Sequence, residues 1–195
     1  MTPGADARVV ELCRSHGFAL AGVCGAGPTE RAEKQRLHSI CDVLEGAHPG
    51  HRFRAFTDTA PVSERELASR AGIGWVGKNT LVIHPRIGSW FFLGGILTTL
   101  PLEPPAEHRP IRDHCGTCPR CIDACPPDAI TPYSVDASRC ISYLTIEHRS
   151  PIDPVFFESI GNRIAGCDIC QDVCPHNRPR PGVLQPVPRG EYTPN

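Results

Sequence analysis

Aromatic residues are scarce in this sequence, at 6%; it has one methionine, and the net charge is -1 over 195 residues. Near-neutrality removes the global basic field that would advertise nucleic-acid binding, although a local basic patch is compatible with it. Long hydrophobic runs are also missing. The strongest, residues 90–97, falls far short of the roughly 20 apolar residues that a membrane helix needs. The first ten residues lack the cationic and apolar halves of a secretory signal. A cytoplasmic, reducing setting is therefore expected, with no membrane association. In such a setting clustered cysteines mean metal more often than disulfides.

Cysteine is what the chain has in excess, with eleven residues beside 21 prolines and 18 glycines. Cys13, Cys24 and Cys41 are scattered, whereas the other eight crowd between Cys115 and Cys174. The proline and glycine content predicts short elements joined by turns. Helices are expected over 6–16, over 29–45 (with Leu37, Ile40, Cys41 and Leu44 on one face) and over 64–70 after a Ser63–Glu66 capping box. Strands are expected over 18–24, 52–57, 80–83 and 89–100, the last bulged at Gly94-Gly95. Four prolines between 101 and 110 mark a boundary. The expected fold class is α+β, divided into residues 1–104, 105–178 and a Pro/Arg-rich tail at 179–195.

Cys115, Cys118, Cys121 and Cys125, followed by Pro126, spell C-x-x-C-x-x-C-x-x-x-C-P, the ferredoxin run that wraps an iron–sulfur cube. Cys167, Cys170, Cys174 and Pro175 repeat its end but lack one thiol, because position 164 is isoleucine. Cys140 stands between the runs and supplies the missing ligand. In two-cluster ferredoxins the fourth cysteine of a run serves the other cluster. The eight thiols then divide into Cys115, Cys118, Cys121 and Cys174 for one 4Fe–4S cluster, and Cys125, Cys140, Cys167 and Cys170 for the other. Structural zinc also uses C-x-x-C pairs, but two C-P endings and eight thiols fit paired cubes better.

The run Gly72-Ile73-Gly74-Trp75-Val76-Gly77 spells G-x-G-x-x-G, yet a dinucleotide site needs a strand before it and a helix after it. The expected order here is the reverse. A P-loop reading fails at Asn79, where Ser or Thr must meet magnesium. Glycines that permit tight backbone packing are the simpler reading.

Several ordered stretches resemble one family. They are Asp58-Thr59-Ala60-Pro61, Gly74 to Thr80, Gly88 to Gly94, Arg139 to Glu147, and Gly161-Asn162-Arg163 with Gly166-Cys167-Asp168. Together they are similar to epoxyqueuosine reductase over residues 50–178, and residues 17–22 resemble that family's first strand. The resemblance implies a cobalamin-binding α/β domain in 1–104 and a ferredoxin-like two-cluster domain in 105–178. It implies an oxidoreductase that reduces epoxyqueuosine to queuosine in the tRNA anticodon loop, the last step of queuosine synthesis. The clusters would pass electrons to cobalamin, and reduced cobalt would open the epoxide. It also implies that Asp58 is the acid that protonates the leaving oxygen. By its position alone Asp58 ends a strand before a helix, where carboxylates commonly cap turns and the anion is favoured unless burial against the corrin opposes it.

Val82, Leu93 and Ser142 are expected beside the corrin, although Val82 and Leu93 also suit a plain core. His84, in a turn before Pro85, is expected on the solvent side and not on cobalt. Lys78, Arg86, Arg112, Arg139 and Arg149 are candidates for tRNA phosphates. The electron donor is expected to be a flavodoxin or ferredoxin system, and the protein a monomer. Against the family pattern the chain is shortened: a segment carrying strands and part of the cobalamin pocket is skipped between about residues 26 and 31. It also stops after the second C-P, without the helical-repeat domain that helps hold tRNA, and Gly95 replaces an acidic residue. Two other readings follow, an iron–sulfur electron carrier that has lost cobalamin chemistry and a corrinoid enzyme related to reductive dehalogenases.

Overall fold

A computed structural model describes residues 23–25, 30–58, 60–103 and 109–178. The helix expected over 6–16 and the tail from 179 lie outside the described residues. The described chain divides into two compact units. One holds the residues up to Gly74 with Trp90–Ile111, and the other holds Trp75–Ser89 and the residues from Arg112 onward. The expected division at 104/105 therefore differs from the contacts in two respects, the first being that residues 109–111 stay with the first unit. Fifteen residues of the expected cofactor domain, Trp75–Ser89, pack with the cysteines.

In the first unit, β1 (Val23–Gly25) precedes helix α1 (Glu30–Ala47). Leu37, Ile40, Cys41 and Leu44 recur at three- and four-residue steps, so they share a face, and all four are buried. They meet Phe53 of β2 (Phe53–Phe56), with Ala55, Ile96 and Leu100 closing the cluster. Burying one such side chain contributes about 2 kcal/mol, so this face holds the helix on the sheet.

Helix α2 (Glu64–Arg70) starts where expected, but Ser63 makes no capping bond. The strand expected over 89–100 breaks at Gly94. Its first half, β5 (Phe91–Leu93), pairs antiparallel with β1, and its second half, β6 (Gly95–Thr98), pairs antiparallel with β2. The register sets Phe56 opposite Gly95. A Cβ at Gly95 would lie 2.3 Å from Phe56 Cζ, so the ring uses space that any side chain there would need.

In the second unit, β3 (Trp75–Val76) and β4 (Val82–Ile83) form a tight hairpin where a loop and a longer strand were expected. The His84–Gly88 bridge closes the following turn. The first cysteine run winds into α3 (Arg120–Asp123), followed by the small β7–β8 hairpin (Ile130–Thr131 with Ser134–Val135). After Cys140 comes a π-turn (Tyr143–Glu147), and α4 (Phe157–Ile160) follows. Ile141, Leu144 and Ile160 form the core there. The second run winds into α5 (Ile169–Asp172), which packs against α3. That packing brings thiols of one run toward the other.

Gly88 has φ +74°, and a Cβ on it would stand 2.0 Å from Asn177 Oδ1, the atom that accepts the Ser89 N–H at 2.6 Å. Gly88→Ala is therefore expected to cost about 2–3 kcal/mol, from left-handed strain and one displaced hydrogen bond. A denaturant midpoint measured on the iron-loaded protein checks this. An unchanged midpoint would show that Asn177 yields freely.

Candidate functional site

The eight clustered cysteines are free thiols. Cys115, Cys118, Cys121 and Cys174 together line one cavity of about 40 Å³, with Lys78 and His176 among its other walls. Three of these thiols come from the first run and one from the end of the second. The remaining thiols form the other group. Burial pushes the Cys125 thiol up, with neighbouring Cys140 and Cys167 adding to the effect. Cys170 is pushed up to about 12, chiefly by burial and then by Cys167, Cys121, Cys140 and Cys125. Burial likewise raises Cys121, with Cys115, Cys174 and Cys118 contributing, and it raises Cys174, with Cys115 and Cys118 contributing. Cys121 of the first set thus lies within electrostatic reach of Cys170.

Thiols raised in this way are protonated without metal, so iron binding must displace their protons. Among the described residues, no group of three or more His, Cys, Asp and Glu is gathered tightly enough to hold a single metal ion. A four-thiolate zinc site needs all its sulfurs about 2.3 Å from one atom.

Hydrogen bonds position Cys115, Cys125 and Cys167. The Cys115 N–H donates to Asp113 Oδ1 at 2.7 Å, and the Tyr133 hydroxyl donates to the other Asp113 oxygen. Cys125 Sγ accepts the Ala129 N–H at 3.3 Å. The Cys167 N–H donates to Ser142 Oγ at 2.9 Å, and the Gly166 N–H donates to Thr145 Oγ1 at 2.9 Å. The segment after Cys140 therefore holds the segment that carries Cys167.

The glycine loop is the part whose role the sequence did not disclose. Lys78 Nζ donates to Gly116 O at 2.7 Å and to Cys118 O at 3.2 Å, while Asn79 Nδ2 donates to Cys170 O at 3.2 Å. Asn177 Nδ2 donates to Ser89 Oγ, whose own O–H goes to Gln171 Oε1. These residues buttress both cysteine runs. A lysine and an asparagine inside a glycine loop, with no nucleotide motif to use them, were the available signal.

The expected phosphate-binding residues separate into two kinds. Lys78 is engaged as above, and Arg139 donates from Nε and Nη2 to Pro127 O at 2.9 and 2.5 Å. Arg86, Arg112 and Arg149 are exposed.

His84 corrects an expectation. It is buried and not on the solvent side, and its Nδ1 accepts the N–H groups of Arg86 and Ile87. Burial, then the Arg86 charge, lowers its pKa. Below about pH 6.5 the unfolded chain takes up this proton while the folded chain resists it. Stability from this residue is thus complete above that pH and falls as pH drops toward the folded pKa. The melting temperature of the iron-loaded protein is expected to fall between pH 7 and 5.5, and His84→Asn should flatten the slope. Identical slopes would assign the effect elsewhere.

In the first unit, Asp58 is exposed and has φ +49°, a conformation that aspartate tolerates better than most residues. Its N–H donates to Glu64 Oε1 at 2.6 Å, so the first helical residue of α2 fixes the loop. Glu64 also lines a mainly apolar cleft of about 340 Å³ with Phe56, Leu67, Ile73, Leu93 and Leu97. Among the described residues, the buried Thr57 Oγ1, next to Asp58, has no hydrogen-bond partner. Leu93 is half-buried at this cleft, whereas Val82 is fully buried in the β3–β4 hairpin of the cysteine unit. Ser142 Oγ is committed to the Cys167 backbone.

Comparison with known proteins agrees with this anatomy. Residues 114–177 match the family model described as a 4Fe-4S double cluster binding domain. An epoxyqueuosine reductase from Leadbetterella byssophila is 51% identical over 142 residues, which is 73% of this chain and 45% of that protein. A crystal structure of epoxyqueuosine reductase with an epoxyqueuosine-modified tRNA stem loop superposes with a TM-score of 0.71 at 38% identity. The match covers 80% of this chain and 42% of that one. A catabolic reductive dehalogenase shares the fold at a TM-score of 0.54 and 21% identity, over 75% of this chain and 21% of its own. The chain thus shares the sequence and fold of the epoxyqueuosine reductases along the stretch it spans, which is under half the length of these relatives.

Proposed function

We propose that this chain binds two 4Fe–4S clusters and cobalamin and reduces epoxyqueuosine to queuosine in the anticodon loop of tRNA. The observation that carries the reading is the exchange of thiols between runs, with Cys174 lining the cavity of Cys115, Cys118 and Cys121. Paired clusters suit a reaction that needs single electrons delivered in succession. Removing an epoxide oxygen as water takes two electrons and two protons. Cobalamin, when bound, supplies the reducing centre that receives those electrons.

The chain's own residues do the rest. Cys115, Cys118, Cys121 and Cys174 hold one cluster, and Cys125, Cys140, Cys167 and Cys170 hold the other. Asp58 donates a proton to the leaving oxygen, from a loop that Glu64 holds by its backbone. Its exposed carboxylate and the apolar wall at Leu93 fit a corrin edge and a polar substrate. Val82 and Ser142 serve from inside the cysteine unit, as a packed hairpin residue and as the anchor of Cys167. In this reading the residues up to 104, apart from the hairpin segment, form the cobalamin domain, and 105–178 form the ferredoxin-like domain. Arg86, Arg112 and Arg149 meet phosphates. The protein acts in the cytoplasm as a monomer, with a flavodoxin or ferredoxin system as donor.

The experiment is conversion of an epoxyqueuosine stem loop by the reconstituted protein, with cobalamin retention measured on the same sample. The same sample separates a second reading, an iron–sulfur electron carrier. Clusters retained without any corrin affinity would assign it to electron transfer alone.

A further inference from the structure

Trp75 is 2% exposed, and its indole N–H is one of only two buried side-chain polar groups among the described residues that lack a hydrogen-bond partner. A buried donor left unpaired is costly, so its presence calls for an explanation. The ring cannot easily turn away. The His114 and His176 imidazoles meet it edge-on, with centroids at 5.0 and 4.8 Å and interplanar angles of 64° and 80°. Its strand, β3, is tied down close by: Lys78 Nζ holds Gly116 O and Cys118 O, and Lys78 O accepts the Tyr133 N–H at 3.1 Å.

The two imidazoles also say where the ring sits. His114 precedes Cys115, and His176 follows Cys174 by two residues, so the indole lies where the first and last thiols of one set meet. A neutral thiol is a weak acceptor. A thiolate on iron is a strong one, and it becomes stronger when the cluster gains an electron.

We propose that the Trp75 indole N–H is the hydrogen-bond donor to a cysteine sulfur at the Cys115–Cys174 end of the bound cluster and raises that cluster's reduction potential. Donors to cluster sulfurs stabilise the more negative reduced state, and this is one of the protein's levers on potential. Among the described residues the other set receives a backbone donor, Ala129 N–H to Cys125. The sequence's second tryptophan, Trp90, belongs to the other compact unit. Trp75 therefore makes the two clusters unequal. Its place in the glycine loop explains why a segment distant in sequence is folded against the cysteines.

This inference rests on the two-cluster reading, and iron analysis separates the two. A full chain that binds no iron after reconstitution would overturn both. With both clusters present, Trp75→Phe keeps a smaller aromatic ring in place and removes the donor. In an EPR-monitored redox titration, the cluster whose signal disappears in Cys174→Ser should shift. Its oxidised-to-reduced ratio at fixed potential should rise about tenfold, about 59 mV lower in midpoint for a one-electron couple. The other cluster should keep its midpoint. Unchanged midpoints for both would overturn the role of Trp75.

If Trp75→Phe fails to fold, the wild-type protein still decides. Grown with indole-¹⁵N tryptophan and reduced, it should show a ¹⁵N coupling to one cluster by pulsed EPR. The coupling should persist in Trp90→Phe, and its absence from wild type would overturn the proposal.

Discussion

Asp58→Asn is expected to lower the turnover of epoxyqueuosine about 10²–10⁴-fold, the usual range for loss of a positioned general acid. The substitution is nearly silent for structure. Asp58 has φ +49°, and asparagine tolerates that region at least as well as aspartate does. The bond from its backbone N–H to Glu64 is independent of the side chain. What disappears is the proposed proton donor, so iron content, the cluster spectra and melting should match wild type while turnover collapses. Asp58→Ala would be harder to read, because alanine adds left-handed strain. Equal turnover by Asp58→Asn and wild type would remove Asp58 from the chemistry and leave its carboxylate a turn residue.

Cys174→Ser is expected to remove half of the bound iron, and the lost half should be the cluster of the first cysteine run. Cys174 ends the second run, so a simple run-by-run arrangement predicts damage to the second cluster instead. The structure puts Cys174 beside Cys115, Cys118 and Cys121 around one cavity, because α3 and α5 pack side by side and bring the end of one run toward the other. Cys125→Ser is the mirror experiment, since Cys125 ends the first run but interacts with Cys140 and Cys167. The pair should give complementary EPR losses. If each variant instead loses the cluster of its own run, the exchange is wrong.

Much of this was legible from residue spacing. The face of Leu37, Ile40, Cys41 and Leu44 is buried as its periodicity requires. The two sets of four follow from the ferredoxin rule that a run's fourth cysteine serves the other cluster, and the structure gathers Cys115, Cys118, Cys121 and Cys174 around one cavity. What escaped the sequence was long-range. Nothing local in Gly74 to Asn79 says that its partners are Gly116, Cys118 and Cys170, which lie 38 to 91 residues away. Hence the glycine loop read as a packing turn and Lys78 as a phosphate ligand.

His84 misled for the same reason. A histidine before proline looks exposed until its Nδ1 is found accepting two N–H groups inside the turn. The strand over 89–100 was recognised with its bulge, but not the change of partner from β1 to β2 at Gly94. Gly95, a departure from the family pattern, makes sense beside Phe56, whose ring occupies the space of a side chain at that position.

We propose that this chain, which spans 45% of its Leadbetterella byssophila relative, carries the reaction itself. The most direct test is nucleoside mass spectrometry of an epoxyqueuosine anticodon stem loop, incubated with protein loaded with both clusters and cobalamin under a strong reductant. The account predicts queuosine, one oxygen lighter, from wild type and almost none from Asp58→Asn. Unchanged epoxyqueuosine after incubation with fully loaded wild-type protein would contradict it.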